Sequence, residues 1–127
     1  MKEELSRLVG RARRDSSVLA VMVFGSFARG ERYRDLDVCM VLKPKRYSDL
    51  QLSEKRLEYL SHVGTPVDLQ VFQQLPLYVR ERVFGEGKPL YVRDESALFD
   101  LAVDTHRSFE DYKPIYEEYL RGVADGG

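Results

Sequence analysis

Residues 18–24 read VLAVMVF, an unbroken apolar run between a polar stretch and Gly25. It falls far short of the roughly 20 apolar residues that span a bilayer. Its valines favour a strand, and with no polar side to turn to water it predicts a strand buried on both faces. A chain built around such a segment needs a sheet with helices packed on it. A second run follows at 35–42, DLDVCMVL. In an extended chain Leu36, Val38, Met40 and Leu42 face one way, and Asp35, Asp37, Cys39 and Val41 the other. A third, VDLQVF at 67–72, alternates strictly, with Val67, Leu69 and Val71 on one face and Asp68, Gln70 and Phe72 on the other.

Helical patterns lie between and around these strands. Leu5, Leu8, Val9 and Ala12 fall on one stripe of a helix over 3–15, with acidic residues in its first turn and arginines in its last, as the helix dipole prefers. Ser48 and Gln51 form a capping box for a helix over 49–61 that carries Leu50, Leu57 and Leu60. Pro76 opens a helix over 75–84 that ends at Gly85. KPLYV is a short edge strand. Asp94 caps a long last helix over 95–120, which Pro114 is expected to kink or interrupt. The expected fold is α/β (α+β): a small mixed sheet with helices packed on it and a helical C-terminus.

The chain has 127 residues, the size of one compact domain, taken here as 1–127 with a core over about 18–92. Its 20 basic and 21 acidic residues nearly cancel. That argues against a general nucleic-acid or membrane-surface binder, either of which wants a basic excess. The single cysteine, Cys39, excludes an internal disulfide and a cysteine metal cluster, and a cytoplasmic location is expected. The N-terminal stretch MKEELSRLVGRARRD has no apolar core of the signal-peptide kind. The loop KPKR at 43–46 reads as solvated, and His62, His106 and Cys39 read as surface or packing residues rather than ligands.

Chemistry concentrates in VFGSFARGERYRDLDV at 23–38. Asp35 and Asp37, two apart on a strand, share a face at about 6.5–7 Å. Like charges that close repel, and a cation between them removes the cost. Oxygen-only ligands suit Mg²⁺, which binds through one or two carboxylates plus substrate phosphates. Asp68 joins them if its strand is a neighbour in register, and three carboxylates can hold two metals about 3.5–4 Å apart. Gly25 lets a ligand approach the backbone. The turn after it, beginning at Ser26, offers N–H groups and a hydroxyl to an anion, and Arg29, Arg32 and Arg34 add phosphate-matching forks. Each feature alone is commonly a turn or a solvated edge. Their conjunction in this order is the specific signal, since a nucleoside triphosphate with Mg²⁺ needs both an anion site and a metal site.

This segment, with Asp68 in VDLQVF, resembles the signature of the polymerase-β-type nucleotidyltransferase superfamily: Gly-Ser, often Ala-Arg-Gly, a spacer, Asp-X-Asp and a later third carboxylate. Within it the chain is similar to the minimal nucleotidyltransferases (MNT) of HEPN/MNT toxin–antitoxin pairs. Arg34 departs from the serine common before Asp-X-Asp. The resemblance implies that Gly25 and Ser26, with Arg29, bind the triphosphate of ATP or another nucleoside triphosphate. It implies that Asp35 and Asp37 hold two Mg²⁺ ions, and that Asp68 holds the catalytic metal and helps activate the attacking hydroxyl. The implied reaction is attack on the α-phosphorus with release of pyrophosphate, most simply AMP transfer to a protein acceptor that is a small helical HEPN-type partner. The competing readings are a non-catalytic antitoxin of the same fold, and nucleotidyl transfer to a small molecule or an RNA end. The balanced charge weighs against RNA. Self-association is compatible with the sequence. Phe109, Tyr112, Tyr116 and Tyr119 form an aromatic stripe on the last helix; covering the domain's own core is the favoured reading, a partner surface the other.

Overall fold

The computed structural model describes residues 2–25, 36–63 and 67–124. In chain order the elements are α1 (Lys2–Arg14), β1 (Val18–Phe24), β2 (Leu36–Leu42), α2 (Asp49–Leu60), β3 (Val67–Val71), a 3-10 turn (Phe72–Gln74), α3 (Leu77–Glu86), β4 (Lys88–Val92) and α4 (Glu95–Ala124). The strands form one mixed sheet in the order β3-β2-β1-β4. β1 runs antiparallel to β2 and β4. β3 runs parallel to β2, the pairing that a crossover helix such as α2 permits.

The apolar run at 18–24 is the centre of the molecule. β1 lies inside the sheet, and six of its seven residues are buried. On one face Val21, Val38, Met40 and Leu69 pack with Leu8 and Ala12 of α1 and Leu52 and Tyr59 of α2. On the other, Leu19, Met22, Cys39 and Val41 meet Phe72 and Val83, flanked by Leu98 and Leu101 of α4. A register shift between Val18 and Ala20 marks a bulge, which lets Leu19 and Ala20 join the same side. Cys39 is fully buried, and burial pushes its thiol up. Pro89 sits on the edge strand β4, where its missing N–H is tolerated.

Several sequence expectations shift here. The capping box at Ser48 and Gln51 is present, but Leu50 and Leu57 face solvent while Leu52 and Tyr59 are buried. The docking of α2 is set by the Tyr59 hydroxyl, which reaches Asp15 at 2.8 Å. α3 continues through Gly85 and stops at Gly87. Gly87 donates its N–H to the Val83 carbonyl at 2.8 Å, and a Cβ there would lie 2.2 Å from that same oxygen. α4 runs through Pro114 without a break to Ala124. Glu110 and Pro114 are both exposed, so the carbonyl that loses its helical donor lies on the solvated side. Among the described residues the aromatic stripe joins neither core cluster: Tyr112 and Tyr119 are exposed, and Phe109 and Tyr116 are half-buried. Tyr116 stacks instead on Tyr78 of α3 and on Tyr112. His106 is a surface residue whose Nδ1 lies 2.7 Å from a Glu81 carboxylate oxygen, and that hydrogen bond raises its pKa.

Polar ties fix the helices to the end of the sheet where β1 begins. Arg93 donates to the carbonyls of Val18, Ala12, Arg13 and Asp15 at 2.8–3.0 Å, closing the C-terminus of α1 with a cation. Asp15 accepts from Ser17, Lys55 and Tyr59, and Arg11 pairs with Glu58. Burial alone would raise the Asp15 carboxyl, but the hydrogen bonds from Ser17, Lys55 and Tyr59 outweigh it and hold the group well below the usual carboxylate range. Asp15→Ala is expected to lower the unfolding free energy at neutral pH by about 1–3 kcal/mol, the cost of leaving part-buried partners unpaired. A depressed folded pKa stabilises above the unfolded value of about 3.9 and is lost as pH falls from there through the folded value. Urea titrations should therefore show the gap between wild type and variant narrowing below about pH 4.

Candidate active site

The site lies at the end of the sheet where β1 finishes and β2 and β3 begin. Asp37 is the second residue of β2 and Asp68 the second of β3, and the parallel ladder pairs them directly. Paired residues on adjacent strands share a face and lie about 4.8 Å apart, so the two side chains stand next to each other. They are on the α3/α4 side: their neighbours in the ladder, Val38 and Leu69, face α1 and α2. Asp37 is half-buried and Asp68 exposed.

Gly25 completes the row. Phe24, at the end of β1, pairs with Asp37 on β2. The chain then turns at Gly25 with φ +75°, the left-handed region that glycine enters at little cost. A Cβ at Gly25 would fall 2.4 Å from Oδ2 of Asp37. The glycine thus does two jobs the sequence only hinted at: it permits the turn, and it leaves the space that the Asp37 carboxylate fills. The expected site residues Asp35, Ser26 and Arg29, with Arg32 and Arg34, lie outside the described residues.

Gln70 is the residue that sequence reasoning passed over. Its Nε2 donates to Oδ1 of Asp68 at 3.0 Å. The signal was present in VDLQVF, since residues two apart on a strand share a face, but no feature of the sequence marked it as a partner for the carboxylate.

The donor set fits a hard divalent cation. Asp37 and Asp68 offer carboxylate oxygens only, and the one thiol is deeply buried, which suits Mg²⁺ rather than a soft metal. Among the described residues no group of three or more His, Cys, Asp or Glu side chains gathers into a metal site; the third expected carboxylate, Asp35, is not among them.

A twisted mixed sheet, a glycine turn at the end of its central strand and two carboxylates in register beside it define a nucleotidyltransferase-type architecture. The family model described as polymerase beta, nucleotidyltransferase, matches residues 7–96. The chain belongs to that family. It is 27% identical over 112 residues to a Methanocaldococcus jannaschii protein named "Putative protein adenylyltransferase", covering 87% of this chain and 79% of that one. The fold is also similar to solved structures of toxin–antitoxin systems. One, determined with AMP-PNP, superposes with a TM-score of 0.71 at 17% identity, over 97% of this chain and 98% of that one. Another is a complex of tri-AMPylated Shewanella oneidensis HEPN toxin with MNT antitoxin, with a TM-score of 0.69 at 15% identity over 97% and 95% of the two chains.

Substituting Gly25 by alanine tests the geometry directly. Gly25→Ala is expected to cost about 1–2 kcal/mol in stability from the left-handed backbone alone, and in a crystal structure of the variant the Asp37 carboxylate should be displaced from its present position. An unmoved carboxylate would show that the close approach has no structural consequence.

Proposed function

We propose that this chain is a Mg²⁺-dependent nucleotidyltransferase that moves AMP from ATP to a hydroxyl of a protein acceptor, and that the acceptor is a HEPN-type toxin for which it serves as antitoxin. The observation that carries this reading is the in-register pair Asp37 and Asp68 beside the Gly25 turn. Membership of the nucleotidyltransferase family supports the reaction class. Similarity to the adenylyltransferase-named relative and to the AMPylated HEPN–MNT complex supports the acceptor.

In this reading Asp35, Asp37 and Asp68 hold Mg²⁺, which when bound neutralises phosphate charge at the reacting centre. Gly25, Ser26 and Arg29 take the triphosphate. The acceptor oxygen forms a bond to the α-phosphorus, the bond from that phosphorus to the α,β-bridging oxygen breaks, and pyrophosphate leaves. Asp68, exposed at the sheet edge, accepts the hydroxyl proton and passes it to water. With α-labelled ATP, Mg²⁺ and the product of the neighbouring gene, label should move onto that protein. Asp37→Ala and Asp68→Ala should each reduce transfer by at least about 100-fold, the scale of losing a group that acts in the transition state. Transfer that persists in both variants would overturn the assignment of these residues, and its absence in wild type with every nucleotide would favour a non-catalytic antitoxin.

The last helix supports a protein partner. α3 joins β3 at one edge of the sheet to β4 at the other, and α4 returns antiparallel to it, with His106 against Glu81 and Tyr116 against Tyr78. At 30 residues α4 is about 45 Å long and outruns α3 on the β3 side, the edge that carries Asp68. From Ile115 onward Ile115, Tyr119, Leu120 and Val123 are exposed, an apolar patch of the kind that marks an interaction site. Ile115→Asp/Tyr119→Asp is expected to weaken capture of the partner at least tenfold in a pull-down titration while leaving Mg²⁺ and nucleotide binding unchanged. Equal capture by wild type and variant would place the partner elsewhere.

A further inference from the structure

We propose that Gln70 is a positioning residue for the Asp68 carboxylate, holding it in the orientation that receives the metal. This rests on the reading of Asp68 as a metal ligand given above. Among the described residues β3 is an edge strand with no strand beyond Asp68, and the side chain is exposed. The terminal torsion of an aspartate is soft and broad. A carboxylate left to itself there would spread over many orientations, and binding a metal would require freezing one of them. The Gln70 amide, two residues on and on the same face, donates to Oδ1 at 3.0 Å. That bond restrains the rotation and leaves the other oxygen and the remaining lone pairs open.

The chemistry of the donor matters as much as its place. A lysine or arginine at residue 70 would neutralise the carboxylate and compete with the cation. A second carboxylate would repel it or become a ligand itself. A neutral amide orients Asp68 while leaving its full charge for the metal. Gln70 is also well anchored for the task. It is half-buried, and its ladder partner on β2 is the fully buried Cys39. The amide therefore sits where the apolar layer gives way to the acidic end of the sheet, one step inward from the Asp37–Asp68 pair.

The test is Mn²⁺ binding, followed by the electron paramagnetic resonance signal of the free ion with the non-hydrolysable α,β-methylene-ATP present. Gln70→Met and Gln70→Leu remove the donor and keep an apolar stem. Both are expected to weaken Mn²⁺ binding about 10- to 100-fold, the range for losing a partner that orients a metal ligand, with thermal unfolding used to select the variant that folds as wild type does. In an Asp68→Ala background the same substitutions should cost little more, because Gln70 acts through Asp68. An equal loss in both backgrounds would mean a structural role and would overturn the proposal. So would wild-type affinity in Gln70→Met when Asp68→Ala binds weakly. Wild-type affinity in Asp68→Ala would instead overturn the reading of Asp68 as a ligand. The two failures are thereby distinguishable.

Discussion

The parallel pairing of β2 with β3 is the constraint from which the site follows. It sets Asp37 opposite Asp68 and so brings together residues 31 apart in the chain. A slip of one residue would turn one carboxylate to the other face of the sheet. What prevents the slip is apolar. Val38, Met40, Leu69 and Val71 are all buried against α1 and α2, and moving either strand by one would expose that set and bury the acidic one. The hydrophobic layer on one side of the sheet thus fixes the placement of charge on the other. Where β3 ends, the Gln73 side-chain amide continues the pairing, exchanging both hydrogen bonds with the backbone of Leu42 at 3.2 and 2.9 Å.

The antiparallel side of the sheet contributes the third part of the site. β1 ends beside Asp37, and the positive φ at Gly25 turns the chain there. The space that Gly25 lacks a side chain to fill is the space that Asp37 occupies. At the far end of the sheet, Arg93 and the Asp15 cluster bind α1, α2 and the β4–α4 junction to the strands. Polar groups therefore work at both ends of an apolar middle, as structural ties at one and as candidate chemistry at the other.

Much of this was legible in the sequence because it depends on local periodicity. Alternation placed Asp37 and Cys39 on one face and Leu36 and Val38 on the other; the unbroken run at 18–24 announced a central strand; Ser48 and Gln51 marked the start of α2. What was not legible depends on tertiary choices. Alternation cannot say which strand neighbours which, so the meeting of Asp37 and Asp68 stayed conditional until the ladder was known. Leu52 and Tyr59 are buried in place of Leu50 and Leu57 because Tyr59 finds Asp15, a partner 44 residues away. α3 stops at Gly87 rather than Gly85 because the close approach to Val83 lies there. α4 passes Pro114 because that stretch is solvated. The spacing of the aromatic stripe favours core cover, but Tyr112 and Tyr119 are exposed and Tyr116 stacks on Tyr78 of α3, because α4 is longer than the layer beneath it. Ser26, Arg29 and Asp35 lie outside the described residues.

If Asp37 and Asp68 jointly hold a divalent cation at the end of the sheet, each carboxylate must supply it an oxygen. Crystals grown with Mn²⁺ and α,β-methylene-ATP, with diffraction recorded at the manganese absorption edge, test it most directly. An anomalous peak is expected within about 2.3 Å of an oxygen of each carboxylate, the range for a hard cation with oxygen ligands, with the triphosphate directed toward Gly25. Bound nucleotide with manganese ligated by neither Asp37 nor Asp68 would contradict it.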